Sequence, residues 1–103
     1  MDARLEDALR KTIDKWTKMG QADMEHSEDA ADQFEHSFYV FIDVFRDWVN
    51  ELKPRPSTVE ELLAMDTCQE IISRLPAPLM LNFETEADLI IENTVRVDED
   101  KYD

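Results

Sequence analysis

The chain has 103 residues and carries 11 lysines and arginines against 25 aspartates and glutamates, a formal net charge of −14 at pH 7. This charge repels nucleic acids and anionic membranes and attracts basic proteins, so direct binding to DNA, RNA or a membrane is not expected. Hydrophobic residues make up 43% of the chain, too many for a disordered polymer, and the length suits one modest core. We predict a single acidic helical domain over residues 1–103.

Targeting signals and cysteines bear on where the protein functions. No apolar run approaches the roughly 18 residues of a membrane span, and residues 1–4 lack the basic and apolar character of a signal peptide. We therefore expect a cytoplasmic protein. Cys68 is the only cysteine, so it has no partner for an internal disulfide and cannot build a thiolate metal cluster alone. Its expected role is that of a small buried side chain.

A first helix is predicted over residues 3–19, where Leu5, Leu9, Ile13 and Trp16 recur at three- and four-residue steps. Gly20, the only glycine, lies at its expected end. Residues 2–18 hold 5 of the 11 basic and 4 of the 25 acidic residues, so the acidity belongs to the rest of the chain. The lysines of this helix, Lys11, Lys15 and Lys18, are expected to pair with acids on neighbouring elements.

The clearest pattern in the sequence is an apolar spacing of alternating three and four residues. It predicts a long helix over residues 23–53, which Pro54 and Pro56 end. Such a helix would be about 45 Å long, whereas a domain of this size has a radius of gyration of about 13 Å. We therefore expect the apolar stripe to form the core or the seam of an antiparallel homodimer. The stripe consists of Ala31, Phe34, Phe38, Phe41, Phe45, Trp48 and Leu52.

Two short helices, or one kinked helix, are predicted between residues 58 and 75. Residues 57–60 read Ser-Thr-Val-Glu, which matches a capping box that begins at Ser57. The apolar stripe shifts register between Leu63 and Cys68, and Thr67 with Glu70 offers a second capping box at that point.

After Pro76 and Pro78 the apolar period changes to about two, which favours a pair of strands between residues 79 and 97. The competing interpretation is a helix capped by Thr85, and both remain open at this stage. The predicted fold is mainly α, with α+β as an alternative. It is a small helical bundle with one long helix, a C-terminal strand pair or short helix, and a frayed tail at residues 98–103.

Catalytic and metal-binding patterns are weak. Glu25, Asp29, Asp32 and His36 share one face of the predicted long helix, but a single helix places ligands along a line rather than around a point. With one glycine, the chain has no glycine-rich phosphate loop and no nucleophile elbow. We therefore expect no enzyme activity, no metal site and no cofactor.

The favoured function is a non-catalytic acidic module, an adaptor or inhibitor that docks on a basic protein surface, with mimicry of nucleic-acid charge as one form of it. A structural protein that forms a homo-oligomer through the aromatic helix is the alternative, and a metal-dependent enzyme using Glu25, Asp29, Asp32 and His36 is the third. The predicted partner-binding residues form a first edge of Asp23, Glu25, Glu28, Asp29 and Asp32 and a second edge of Glu84, Glu86, Asp88 and Glu92.

Overall fold

The computed structural model describes residues 1–100, with side chains described for residues 1–92. Over residues 1–100 the chain is entirely helical and loop, without a strand, so the prediction of a mainly α protein, a small helical bundle, is confirmed. The helices are α1 (Ala3–Gln21), α2 (Ser27–Glu51), α3 (Val59–Leu63), α4 (Asp66–Arg74) and α5 (Ala77–Asp100). The chain divides into two units, Met1–Trp48 and Val49–Asp103, which are described separately.

Helix α1 begins at a side-chain cap and buries one narrow face. The Asp2 carboxylate accepts hydrogen bonds from the backbone N–H groups of Arg4 (2.9 Å) and Leu5 (3.2 Å), which otherwise lack helical partners. The helix continues through Gly20 to Gln21. Its buried residues are Leu5, Ala8, Leu9 and Thr12, so the buried face includes a threonine and excludes much of the predicted Ile13 and Trp16 surface.

Within the first unit, α1 and α2 pack antiparallel. The Thr12 hydroxyl lies 3.0 Å from the carbonyl oxygen of Ser37 on α2 and 2.9 Å from that of Ala8 on its own helix. Further along α1, the Trp16 ring meets the Phe34 ring edge-on, with centroids 5.2 Å apart. Later residues of α1 therefore contact earlier residues of α2, so the two helices run antiparallel.

Helix α2 is one continuous helix of 25 residues, about 37 Å long. Phe38, Phe41 and Phe45 of the predicted stripe are buried, as are Ile42 and Val49 beside them. The stripe is shorter than predicted, because Ala31 is exposed and Phe34, Trp48 and Leu52 are only partly buried. The helix also begins at Ser27 rather than at Asp23.

In the second unit, α3 packs against α4 and α5. Two short helices occur as predicted, but the N-cap of α3 is Thr58 rather than Ser57. The Thr58 hydroxyl accepts the Glu61 N–H (3.1 Å), and the Glu61 carboxylate accepts the Ser57 N–H (3.1 Å). The second predicted capping box does not form, since α4 starts after Met65 without a side-chain cap.

The strand pair predicted between residues 79 and 97 is wrong, because this segment lies in α5. A short helix at this position is closer to the structure, although α5 has 24 residues. The buried positions follow helical steps of four, four, three and one, while Leu81, which a strand would bury, is 70% exposed. These buried residues are Leu79, Phe83, Ala87, Ile90 and Ile91. Of the predicted tail at 98–103, residues 98–100 belong to α5 and residues 101–103 lie outside the described residues.

Arg55 joins the end of α2 to α5 within the second unit. Its Nε donates to the Asn50 side-chain oxygen (3.1 Å) and its Nη2 donates to the carbonyl oxygen of Ile90 (3.1 Å). The planar guanidinium can serve both acceptors at once, which a lysine cannot reproduce.

We predict that Thr12→Val lowers the free energy of unfolding by about 0.5–1.5 kcal/mol. Valine keeps the side-chain shape but removes the hydroxyl that bridges the two helices. Urea denaturation measures the loss. Thr17→Val is the matched control, because the Thr17 hydroxyl is exposed and bonds only the Ile13 carbonyl oxygen of its own helix (3.1 Å). Equal losses in the two variants would contradict a specific role for the interhelical bond.

Candidate protein-binding face

The charges of α1 largely cancel within that helix. Asp7 pairs with Lys11 (3.0 Å) and Arg10 (3.8 Å), and Asp14 pairs with Lys18 (3.1 Å). The expectation that the lysines pair with acids on neighbouring elements is therefore wrong for Lys11 and Lys18. Exposed pairs of this kind contribute little stability, but they leave the α1 surface with little uncompensated charge.

The first predicted acidic edge lies at the start of α2 and in the turn before it. Asp23 and Glu25 are in the turn, Glu28 and Asp29 are in the first helical turn, and Asp32 is in the next. All five are exposed. Acids are favourable at this end of a helix because its backbone N–H groups carry partial positive charge. Among the described residues, the carboxylates from Glu25 to Asp32 make no ion pair or side-chain hydrogen bond.

Asp23 differs from the other residues of this edge because it is part of the turn. Its carboxylate lies 2.8 Å from Nδ1 of His26 and accepts the His26 backbone N–H at 2.9 Å. These hydrogen bonds, the side-chain one first, hold the pKa of Asp23 below its usual value. Asp23 is therefore engaged with its own turn, and we do not count it among the residues open to a partner.

Sequence reasoning missed the continuation of this edge along α2. Glu35, Asp43 and Asp47 are exposed, with Asp43 and Asp47 opposite the aromatic stripe and Glu35 at its flank. The available signal was the step of three from Asp32 to Glu35 and the step of four from Asp43 to Asp47, although eight residues separate Glu35 from Asp43. Together they define the α2 acidic face, which consists of Glu28, Asp29, Asp32, Glu35, Asp43 and Asp47. Among the described residues, the one ion pair of this face joins Asp43 to Arg46 at 2.8 Å.

The second predicted edge does not form one surface. On a strand, Glu84, Glu86, Asp88 and Glu92 would lie on the same side, but they belong to helix α5. At 100° per residue, Glu84, Asp88 and Glu92 fall on one flank and Glu86 lies far round the helix. The predicted partner-binding residues therefore separate into a group at the start of α2 and a three-residue flank on α5.

The four residues predicted to share a metal-binding face are not all on one helix. Glu25 precedes α2, whereas Asp29, Asp32 and His36 lie within it. In the part of the chain whose side chains are described, no group of three or more His, Cys, Asp or Glu residues is arranged to hold a metal ion.

Comparisons of the chain with protein-family models, with curated proteins and with solved structures find no match. Among the described residues, no helix combines the length and the apolar character needed to cross a membrane.

Cys68 is the chain's only thiol, and it is buried on α4. Burial disfavours the thiolate and raises the pKa of this group to about 12. We predict that a disulfide reagent such as Ellman's reagent leaves Cys68 unmodified in native protein at pH 8 and modifies it fully in denaturant. Rapid modification without denaturant would contradict the burial of Cys68.

We predict that His26→Ala raises the pKa of Asp23 toward its usual value, because the variant removes the largest cause of the lowering. The return is partial, since the backbone N–H of residue 26 still donates. Carboxyl ¹³C NMR over an acid titration measures the shift. His36→Ala is the control, because His36 lies on α2 and has no hydrogen bond to Asp23. An unchanged Asp23 titration in His26→Ala would overturn the assignment of the pair.

Proposed function

We propose that this chain is a non-catalytic acidic protein-binding module that docks through the α2 acidic face on a basic surface of a partner protein. The supporting observation is the contrast between the two helices of the first unit. The acids Asp7 and Asp14 of α1 are paired with cations of the same helix, whereas Glu28, Asp29, Asp32 and Glu35 of α2 have no such pairs. Of these two helices, α2 is the one that carries carboxylates without a cationic partner.

The size of the charge also supports binding over simple solubility. Solubility of a small domain needs a net charge of magnitude about 2–8, and this chain carries −14. At 0.1 M salt the field of exposed charges extends over about 10 Å, which favours encounter with basic surfaces. The excess acidity therefore increases the rate of association with a cationic partner.

Charge density distinguishes docking on a basic protein from imitation of DNA. The α2 acidic face has six carboxylates over residues 28–47, about 28 Å of helix, or one per roughly 5 Å. Duplex DNA presents one charge per about 1.7 Å. This face has about a third of that density, so our proposal is docking on a basic protein segment and does not depend on mimicry of nucleic acid.

The alternative function, a homo-oligomer formed through the aromatic helix, has less support from the structure than from the sequence. It required an aromatic stripe that the chain could not cover, but Phe38, Phe41 and Phe45 are buried. Only Phe34, Trp48 and Leu52 of the stripe's large side chains keep partial exposure. The homodimer remains a prediction, and we rank it below binding of a basic partner.

The proposal is tested by titrating ¹⁵N-labelled protein with a deca-lysine peptide at several salt concentrations. We predict amide shifts concentrated at residues 27–47 and affinity that falls steeply with salt. The double variant Glu28→Lys/Asp29→Lys should weaken binding about tenfold, since each reversal replaces an attraction by a repulsion.

The matched control for this titration is Glu60→Lys/Asp66→Lys, which changes the net charge equally and also reverses first-turn acids, those of α3 and α4. Both double variants place lysines in the first turn of a helix, where the partial positive charge of the helix terminus lowers stability by a similar amount. The control should bind deca-lysine within about threefold of wild type. Equal weakening in the two double variants would show that total charge, and not the α2 acidic face, determines binding.

A further inference from the structure

A small groove opens between α1 and α2 in the first unit, beside the α2 acidic face. It is lined by Ala8, Lys11, His36, Ser37 and Val40 and has a volume of about 190 Å³. Ala8 and Ser37 are small residues on the two helices, and their size leaves the space open. Val40 contributes an apolar wall and is 41% exposed, and its neighbour Tyr39 is 51% exposed.

The volume of the groove limits what can occupy it. Drug-sized ligands and cofactors need sites of roughly 300–1,000 Å³, so this groove is too small for them. A cavity of about 150 Å³ already accepts a benzene-sized apolar group. The groove therefore suits one apolar side chain of a partner, of the size of leucine, inserted between Ala8 and Val40.

The charges around the groove differ between its two sides. On the α1 side, the Lys11 ammonium lies 3.0 Å from the Asp7 carboxylate, which offsets its charge. On α2, the unpaired acid Asp32 lies one turn before His36, and Asp47 lies two turns after Val40. The uncompensated charge beside the groove is thus negative and lies along α2.

We propose that the groove receives the apolar anchor of a basic amphipathic helix, and that lysines or arginines of that helix contact the α2 acidic face. This inference rests on the proposed function and specifies its partner. Along α2, Asp32 is about 12 Å before Val40 and Asp47 about 10 Å after it. The partner helix would therefore carry basic residues about two turns before and two turns after its apolar anchor.

A second copy of this chain is a poorer occupant than a basic helix. Each copy carries a net charge of −14, so two copies repel each other before any contact forms. A basic helix is attracted by that charge and supplies the single anchor for which the groove has room.

The test uses two 17-residue lysine- and alanine-rich helical peptides that differ only at the central residue, leucine or alanine. Fluorescence anisotropy gives their affinities for the full chain. The leucine peptide should bind wild-type protein about tenfold more tightly, the effect of burying slightly less than two methylene groups. Val40→Ser, which makes the wall polar, and Ala8→Met, which fills the groove, should each reduce this preference to about twofold.

Leu81→Ser is the matched control for Val40→Ser, because Leu81 is an exposed apolar residue of α5 and does not line the groove. This variant should keep the tenfold preference, and thermal melts show which variants remain folded. If the two peptides bind wild type equally, the groove inference is overturned while the proposed function stands. If neither peptide binds in a salt-dependent way, the proposed function fails as well. If the wild-type chain has the mass of a dimer in solution and this dimer dissociates when the leucine peptide binds, a second copy of the chain occupies the groove. That result would overturn the inference.

Discussion

Burial of the aromatic face of α2 determines which way the carboxylates of that helix point. Each buried aromatic removes about 150–250 Å² from water, and at about 25 cal/mol per Å² the rings of Phe38, Phe41 and Phe45 together contribute on the order of 10 kcal/mol. Like charges one helical turn apart cost only about 0.2–0.5 kcal/mol per pair. The free energy gained by burying the aromatic rings is far larger than this repulsion, so the helix forms and its acids remain exposed away from the buried rings.

The contact between α1 and α2 connects this helix to the candidate binding surface. Thr12 donates across the interface toward Ser37, and the small side chains nearby leave the groove beside Val40 open. Because α1 pairs its own acids with its own cations, it adds little charge to the surface that α2 presents. One packing arrangement thus produces both an apolar groove and an acidic face next to it.

The fold was predictable where one period dominates a segment. The aromatic spacing of α2 and the register shift between Leu63 and Cys68 predicted a long helix and two short ones. A strand pair was favoured over a helix for the α5 segment because apolar residues occur on several sides of this helix, so that local alternation of Leu79, Leu81 and Phe83 resembled a strand. Only the burial of Leu79, Phe83 and Ala87 reveals the helical step.

The candidate site was predictable in part, since the dense acids of residues 23–32 drew attention to the start of α2, whereas Glu35, Asp43 and Asp47 are more widely spaced. The most direct test of the central claim is an NMR measurement of ¹³Cα chemical shifts and amide hydrogen exchange along α2. We predict uninterrupted helical shifts from Ser27 to Glu51, with the slowest exchange among residues 38–49. Extended shifts or a break at residues 39–42 would contradict a single helix with aromatic and acidic sides.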